Sequence, residues 1–168
     1  PHKREGEVAP PEQRLAMLER ALGDHPAFQV SDIEIRRAGV SFTVDTLRQL
    51  QVELPGHEWF FIIGADTLLE LHTWKEIGTL LTLCRFITVA RPGAALDRGA
   101  PDALRLPRAA AQRLLDDVVT GHLIGISATE VRQRVRAGRS IRYLVPAPVA
   151  AYIADRRLYQ PEDHPSKP

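Results

Sequence analysis

The feature that most constrains this chain is the run Trp59-Phe60-Phe61-Ile62-Ile63, which is apolar throughout and stops at Gly64-Ala65-Asp66. A run of that length with no polar alternation reads as a strand buried on both faces, as in a parallel sheet. A helical pattern follows through Leu68, Leu69, Leu71, Trp74, Ile77, Leu80 and Leu81. Arg85-Phe86-Ile87-Thr88-Val89-Ala90 then reads as the next strand, closed by Arg91-Pro92-Gly93. Strand, helix and strand in that order predict an α/β layered domain with a mostly parallel sheet. In such sheets ligands bind beyond the carboxyl ends of the strands, so chemistry is sought where each strand ends.

The rest of the chain fits that alternation. Pro10-Pro11 opens a helix whose Leu15, Leu18 and Leu22 share one face, and Gly23 with Pro26 ends it. Residues 28–35 place Phe28, Val30, Ile33 and Ile35 among polar neighbours, which predicts a strand with one slip in phase. Ser41-Phe42-Thr43 precedes a helix over 44–54, with Thr43 or Asp45 as its cap and Pro55-Gly56 as its stop. Residues 94–107 read as an irregular loop and 109–117 as a helix. A strand interrupted by Gly121 is expected within 118–126, and helices over 127–137 and 146–156. The expected organisation is one domain over 1–159 and a disordered polar tail over 160–168.

Bulk properties exclude several classes. Of 168 residues, 44% are hydrophobic and 26% charged, as in ordinary globular proteins. The net charge of +1 exerts no global pull on nucleic acid or membrane, so any anion site must be local. Cys84 is the only cysteine, which removes an intrachain disulfide and a cysteine-based zinc site and fits a reducing cytoplasm. It lies in an apolar stretch and reads as a small buried hydrophobe. No apolar stretch approaches a membrane span. The sequence holds no G-x-x-x-x-G-K-[ST] loop, no G-x-G-x-x-G fingerprint, no H-E-x-x-H and no G-x-S-x-G elbow.

Three places could carry chemistry, each with a plainer alternative. At Gly64-Ala65-Asp66, glycine lets a ligand approach the backbone and Asp66 can accept from two ribose hydroxyls; alternatively Asp66 only caps a helix. At Ser127-Ala128-Thr129-Glu130-Val131-Arg132, Ser127 and Glu130 fit a capping box. Free N–H groups there, the Thr129 hydroxyl and the forked Arg132 guanidinium suit phosphate; alternatively this is an ordinary capped surface helix. At Ser41-Phe42-Thr43, helix-start N–H groups could hold a carboxylate. Trp74 could stack on a flat ring or belong to the core.

Taken in order, these motifs carry a resemblance. Pro1-His2-Lys3, Val30-Ser31-Asp32-Ile33-Glu34, Ser41-Phe42-Thr43-Val44-Asp45-Thr46-Leu47, Phe61-Ile62-Ile63-Gly64-Ala65-Asp66-Thr67-Leu68, Trp74, Val89-Ala90-Arg91-Pro92-Gly93, Ile126-Ser127-Ala128-Thr129-Glu130-Val131-Arg132 and Tyr143-Leu144-Val145-Pro146 follow one another. The chain resembles the bacterial nicotinate-nucleotide adenylyltransferases from residue 1 to about Tyr159. The resemblance implies a Rossmann-like nucleotidylyltransferase fold and adenylyl transfer from ATP to nicotinate mononucleotide, giving deamido-NAD and pyrophosphate. It implies that Ser127, Thr129 and Arg132 bind ATP phosphates and carry catalysis. It also implies that Gly64, Asp66 and Lys3 line the ATP site, and that Phe42, Thr43 and Trp74 hold the nicotinate. Phe42 stands where the family more often has Tyr. Mg2+ is expected to arrive mainly through the ATP phosphates, with no metal site on the protein, and a homo-oligomer is compatible. The family opens with a strand and a G-[GT]-[ST]-F-D-P-x-H-x-G-H loop. That pattern does not occur in this sequence, so the first β-α-β portion is expected to be missing. Other acceptors in the superfamily are nicotinamide mononucleotide and phosphopantetheine, and a non-catalytic fragment is a third reading.

Overall fold

The computed structural model describes residues 8–23, 25–37, 39–90, 100–120 and 124–160. The helices in chain order are α1 (Pro11–Leu22), α2 (Ile33–Arg37), α3 (Thr43–Glu53), α4 (Ala65–Glu70), α5 (Ile77–Leu83), α6 (Arg108–Asp116), α7 (Ala128–Arg136) and α8 (Ala147–Asp155). The strands are β1 (Phe60–Gly64), β2 (Arg85–Val89) and β3 (Val118–Val119). They fall into two compact units, Val40–Ile124 on one side of the division and Pro1–Gly39 with Gly125–Pro168 on the other.

The unit of the strands holds a parallel sheet in the order β1-β2-β3. Phe61 lies opposite Phe86, Ile63 opposite Thr88, and Thr88 opposite Val118. Because side chains alternate along a strand, these residues share one face. That face meets a core of Val44, Leu47, Leu68, Leu71, Leu80, Leu104, Leu114 and Leu115. The other face carries Phe60, Ile62 and Val119, and Ile62 is 70% exposed. The expectation of burial on both faces therefore holds for one face only: the described core of this unit lies entirely on the Phe61–Phe86 side. Hydrophobicity alone cannot report this, because both faces of the run are equally apolar.

The helical pattern after β1 is broken where the sequence places Trp74-Lys75-Glu76. A 3-10 turn (Leu71–Thr73) ends at Trp74, and Glu76 takes a left-handed backbone with φ of 51° before α5 starts. Residues 101–104 form a second 3-10 turn, with Pro101 in its first position and Leu104 fully buried, so the stretch expected to be irregular contributes to the core. The expected strand at 118–126 is short, β3 alone, and residues 121–123 lie outside the described residues.

The other unit is helical. Ala9, Val131, Ile141, Val149, Ile153 and Leu158 form its core, joining α7, α8 and the segments beside them. Pro11 starts α1 and Gly23, at φ of 54°, ends it as its sequence requires. The strand expected over 28–35 is not present: residues 28–32 are irregular and α2 occupies Ile33–Arg37. The phase slip between Val30 and Ile33 is the physical reason. It leaves Ile33 as the buried member, while the Ser31 hydroxyl accepts from the Ile33 N–H at 3.3 Å and Asp32 pairs with Arg36 one turn on at 2.9 Å. Residues 161–168 of the expected tail lie outside the described residues. No helix among the described residues is long and apolar enough to cross a membrane.

Candidate functional site

β1 ends at Gly64, which is also the residue preceding α4. Its φ of −83° is open to any residue, so nothing in the backbone torsion demands glycine there. Absence of a side chain at the carboxyl end of a strand is what remains, and it opens the backbone to a ligand. Asp66 lies in the first turn of α4, exposed, and engages no described residue. It is not the helix cap, since no side chain caps α4. A free carboxylate in that position suits paired hydroxyl donors.

Phe42 precedes α3 and Thr43 is its first residue. The cap position falls on Phe42, whose side chain has no acceptor, and not on Thr43 or Asp45. The Asp45 carboxylate is turned outward instead, to Lys75 Nζ at 3.1 Å and Arg48 Nη1 at 3.7 Å. The Phe42 carbonyl accepts from the Asp45 and Thr46 N–H groups at 3.0 and 3.2 Å. This leaves the N–H groups of Thr43 and Val44 ahead of the first intrahelical bond.

Trp74 is half-buried and packs against the main core. Its ring lies near-perpendicular to those of Phe61 at 5.7 Å and Phe86 at 6.3 Å. The turn that carries it is tied to α3 twice. Arg48 forks the Glu76 carboxylate at 2.6 and 3.4 Å, and Lys75 bonds Asp45. Lys75 Nζ also lies 4.4 Å from the centre of the Phe42 ring. Hydrogen bonding to Arg48 holds the Glu76 carboxyl below its ordinary value, and the same bond raises Arg48. The turn that carries Trp74 and the helix start that carries Phe42 and Thr43 are thus tied by charges that the sequence reading passed over. The Asp45/Arg48 spacing, one helical turn apart, was the available signal.

Ser127, Thr129 and Arg132 belong to the helical unit. Ser127 Oγ accepts from the Glu130 N–H at 3.0 Å, which makes Ser127 the cap of α7. The reciprocal half of a capping box is absent; the Glu130 carboxylate lies 3.7 Å from Arg134 instead. The first intrahelical bond runs from Val131 N–H to the Ser127 carbonyl at 3.0 Å. The N–H groups of Ala128 and Thr129 have no described partner. Arg132 donates to Thr129 Oγ1 at 3.2 Å, so guanidinium, hydroxyl and free N–H groups gather at one helix start. Such a cluster attracts anions. Lys3 lies outside the described residues.

A cavity of about 570 Å3 opens at the opposite, amino ends of β1 and β2, beside Trp59, Cys84, Arg85, Arg113 and Asp117. Burial pushes the Cys84 thiol up to about 11, so it is no nucleophile at neutral pH. None of the residues predicted from sequence lines this cavity. No group of three or more His, Cys, Asp or Glu among the described residues could hold a metal ion.

A cytidylyltransferase-like family profile matches residues 1–134. A protein of Geotalea daltonii named "Probable nicotinate-nucleotide adenylyltransferase" is 41% identical over 160 residues, covering 88% of this chain and 74% of its own. One of the same name from Geobacter metallireducens is 42% identical, covering 95% and 79%. Among solved structures, a Plasmodium falciparum nicotinic acid mononucleotide adenylyltransferase in complex with NaAD superposes with a TM-score of 0.69. It does so at 16% identity, over 94% of this chain and 78% of its own.

Proposed function

The chain belongs to the cytidylyltransferase-like family and, within it, to the nicotinate-nucleotide adenylyltransferases, and from that membership we propose how its residues divide the work of transferring an adenylyl group from ATP to nicotinate mononucleotide. The identity of 41% over 160 residues is the observation that carries the reaction.

In the reaction an oxygen of the nicotinate mononucleotide 5′-phosphate bonds to the α-phosphorus of ATP. The bond from that phosphorus to the bridging oxygen breaks, and pyrophosphate leaves with the electron pair. A phosphate monoester is largely dianionic at neutral pH, so the nucleophile needs no protein base. What the protein supplies is position and charge. The start of α7 is suited to the phosphates: Ala128 and Thr129 offer N–H groups, Thr129 a hydroxyl and Arg132 a fork for two oxygens. Ser127 fixes the helix start that presents them. Gly64 and Asp66 suit the ribose and base of ATP. Phe42, Thr43 and Trp74 suit the nicotinate, with the Thr43 N–H directed to its carboxylate and the indole to its ring. Mg2+ would arrive as part of the ATP substrate, carried on its phosphates. The lone buried Cys84 fits a reducing cytoplasm.

The test is a comparison of acceptors with the natural full-length protein and ATP. Nicotinate mononucleotide is expected to give deamido-NAD and pyrophosphate at the highest kcat/KM. A higher value with nicotinamide mononucleotide or phosphopantetheine replaces the acceptor, and no pyrophosphate with any of them removes the reaction.

A further inference from the structure

Lys75 adjoins two residues assigned to the pyridine ring. It follows Trp74 in sequence, and its ammonium lies over the Phe42 ring at 4.4 Å. Asp45 fixes it there at 3.1 Å, and that aspartate is shared with Arg48 at 3.7 Å. Arg48 is in turn forked onto Glu76 at 2.6 Å, so the turn bearing Lys75 is anchored to α3 from both sides. The neighbouring carboxylates, Asp45 and Glu76, and the two cations thus balance within the cluster. An ammonium has three N–H donors, and the described contact to Asp45 uses one of them. The side chain is 42% exposed, so the remaining donors can meet a ligand.

We infer that Lys75 is a specificity-determining residue, selecting a pyridine nucleotide that bears a carboxylate over one that bears an amide. The ring of both nucleotides is a pyridinium cation, because its nitrogen carries the ribose. An ammonium held beside that ring repels it. In the acid the adjacent carboxylate offsets the repulsion and accepts the ammonium's free hydrogens. In the amide the carbonyl oxygen can still accept a hydrogen but brings no charge, so the same lysine favours the acid over the amide. Discrimination is thereby built from an attractive and a repulsive part together. Asp45 acts through Lys75 as a positioning residue, keeping the ammonium over Phe42 when no substrate is bound. This assignment rests on the proposed reading of Phe42, Thr43 and Trp74.

The experiment uses the natural full-length protein and measures kcat and KM separately for nicotinate and nicotinamide mononucleotides. Lys75→Met is expected to lower the acid-to-amide ratio of kcat/KM by about 10-fold, with the change in KM rather than kcat. Lys75→Arg is expected to restore most of the ratio, since it keeps the cation. Raising the salt concentration should erode the ratio in the parent and not in Lys75→Met. An unchanged ratio in Lys75→Met, or an equal loss in Lys75→Arg, overturns the inference while leaving adenylyl transfer intact. A parent protein that adenylylates neither nucleotide overturns the proposed function itself.

Discussion

Trp74 and Phe61 meet at right angles, with ring centres 5.7 Å apart and planes at 87°. A perpendicular contact joins the indole to the core, and Trp74 is only half-buried. The residue therefore packs on the core while part of it stays accessible to a ligand. Trp74→Ala is expected to raise the KM for nicotinate mononucleotide about 10-fold or more, the loss usual for a stacked base. Trp74→Phe, which keeps an aromatic face, should raise it less. Steady-state kinetics of both variants decides the matter, and equal KM values in both and in the parent would return Trp74 to the core alone.

Thr88 is buried completely on the inner face of β2, and its hydroxyl has no partner among the described residues. An unmade hydrogen bond of that kind costs about 1–3 kcal/mol. Thr88→Val keeps the shape and removes the hydroxyl, so it is expected to stabilise the fold by about 1 kcal/mol. A urea midpoint higher than the parent's with an unchanged slope is the predicted result.

Asp117 is gripped by Arg85, whose Nε lies 2.7 Å from the carboxylate, and this hydrogen bond holds its carboxyl below the ordinary range. A carboxyl depressed by folding stabilises the native state above its unfolded value and loses that contribution as pH falls through the folded one. Stability of the parent is thus expected to decline more steeply than that of Asp117→Asn below about pH 4. Urea midpoints collected across that range test the difference in slope.

Much of the fold could be read from the chain because its cues are local. Pro11 and Gly23 bracket α1, and the apolar runs become β1 and β2 in parallel register. What escaped depends on neighbours distant in sequence. Nothing within Trp59-Phe60-Phe61-Ile62-Ile63 tells that Ile62 faces outward while Ile63 is buried. The alternation at 28–35 resembled a strand, yet its slipped phase allowed α2, held by the Asp32–Arg36 pair. At the start of α3 the cap position falls on Phe42, and Asp45 is drawn to Lys75 and Arg48 instead. The cluster at α7 was legible because Ser127, Thr129 and Arg132 lie within one helical turn, a spacing that sequence displays directly.

Arg132 is held half-buried against Thr129 at 3.2 Å, beside N–H groups that no described residue takes. Arg132→Ala in the full-length protein is expected to lower kcat/KM on the order of 100-fold, the scale for loss of a charged group that meets the transferring phosphates. Arg132→Lys should recover only part, since an ammonium cannot fork two oxygens. Pyrophosphate release is the assay, and unchanged turnover in Arg132→Ala takes the residue out of the mechanism.

The central claim is that these residues position two substrates for direct displacement and lend no nucleophile of their own. The stereochemical course at phosphorus reads this most directly. With ATP made chiral at the α-phosphorus by a single sulfur, one in-line displacement by nicotinate mononucleotide gives a dinucleotide of inverted configuration. Retention would require a covalent adenylyl-protein in between, and would contradict the account.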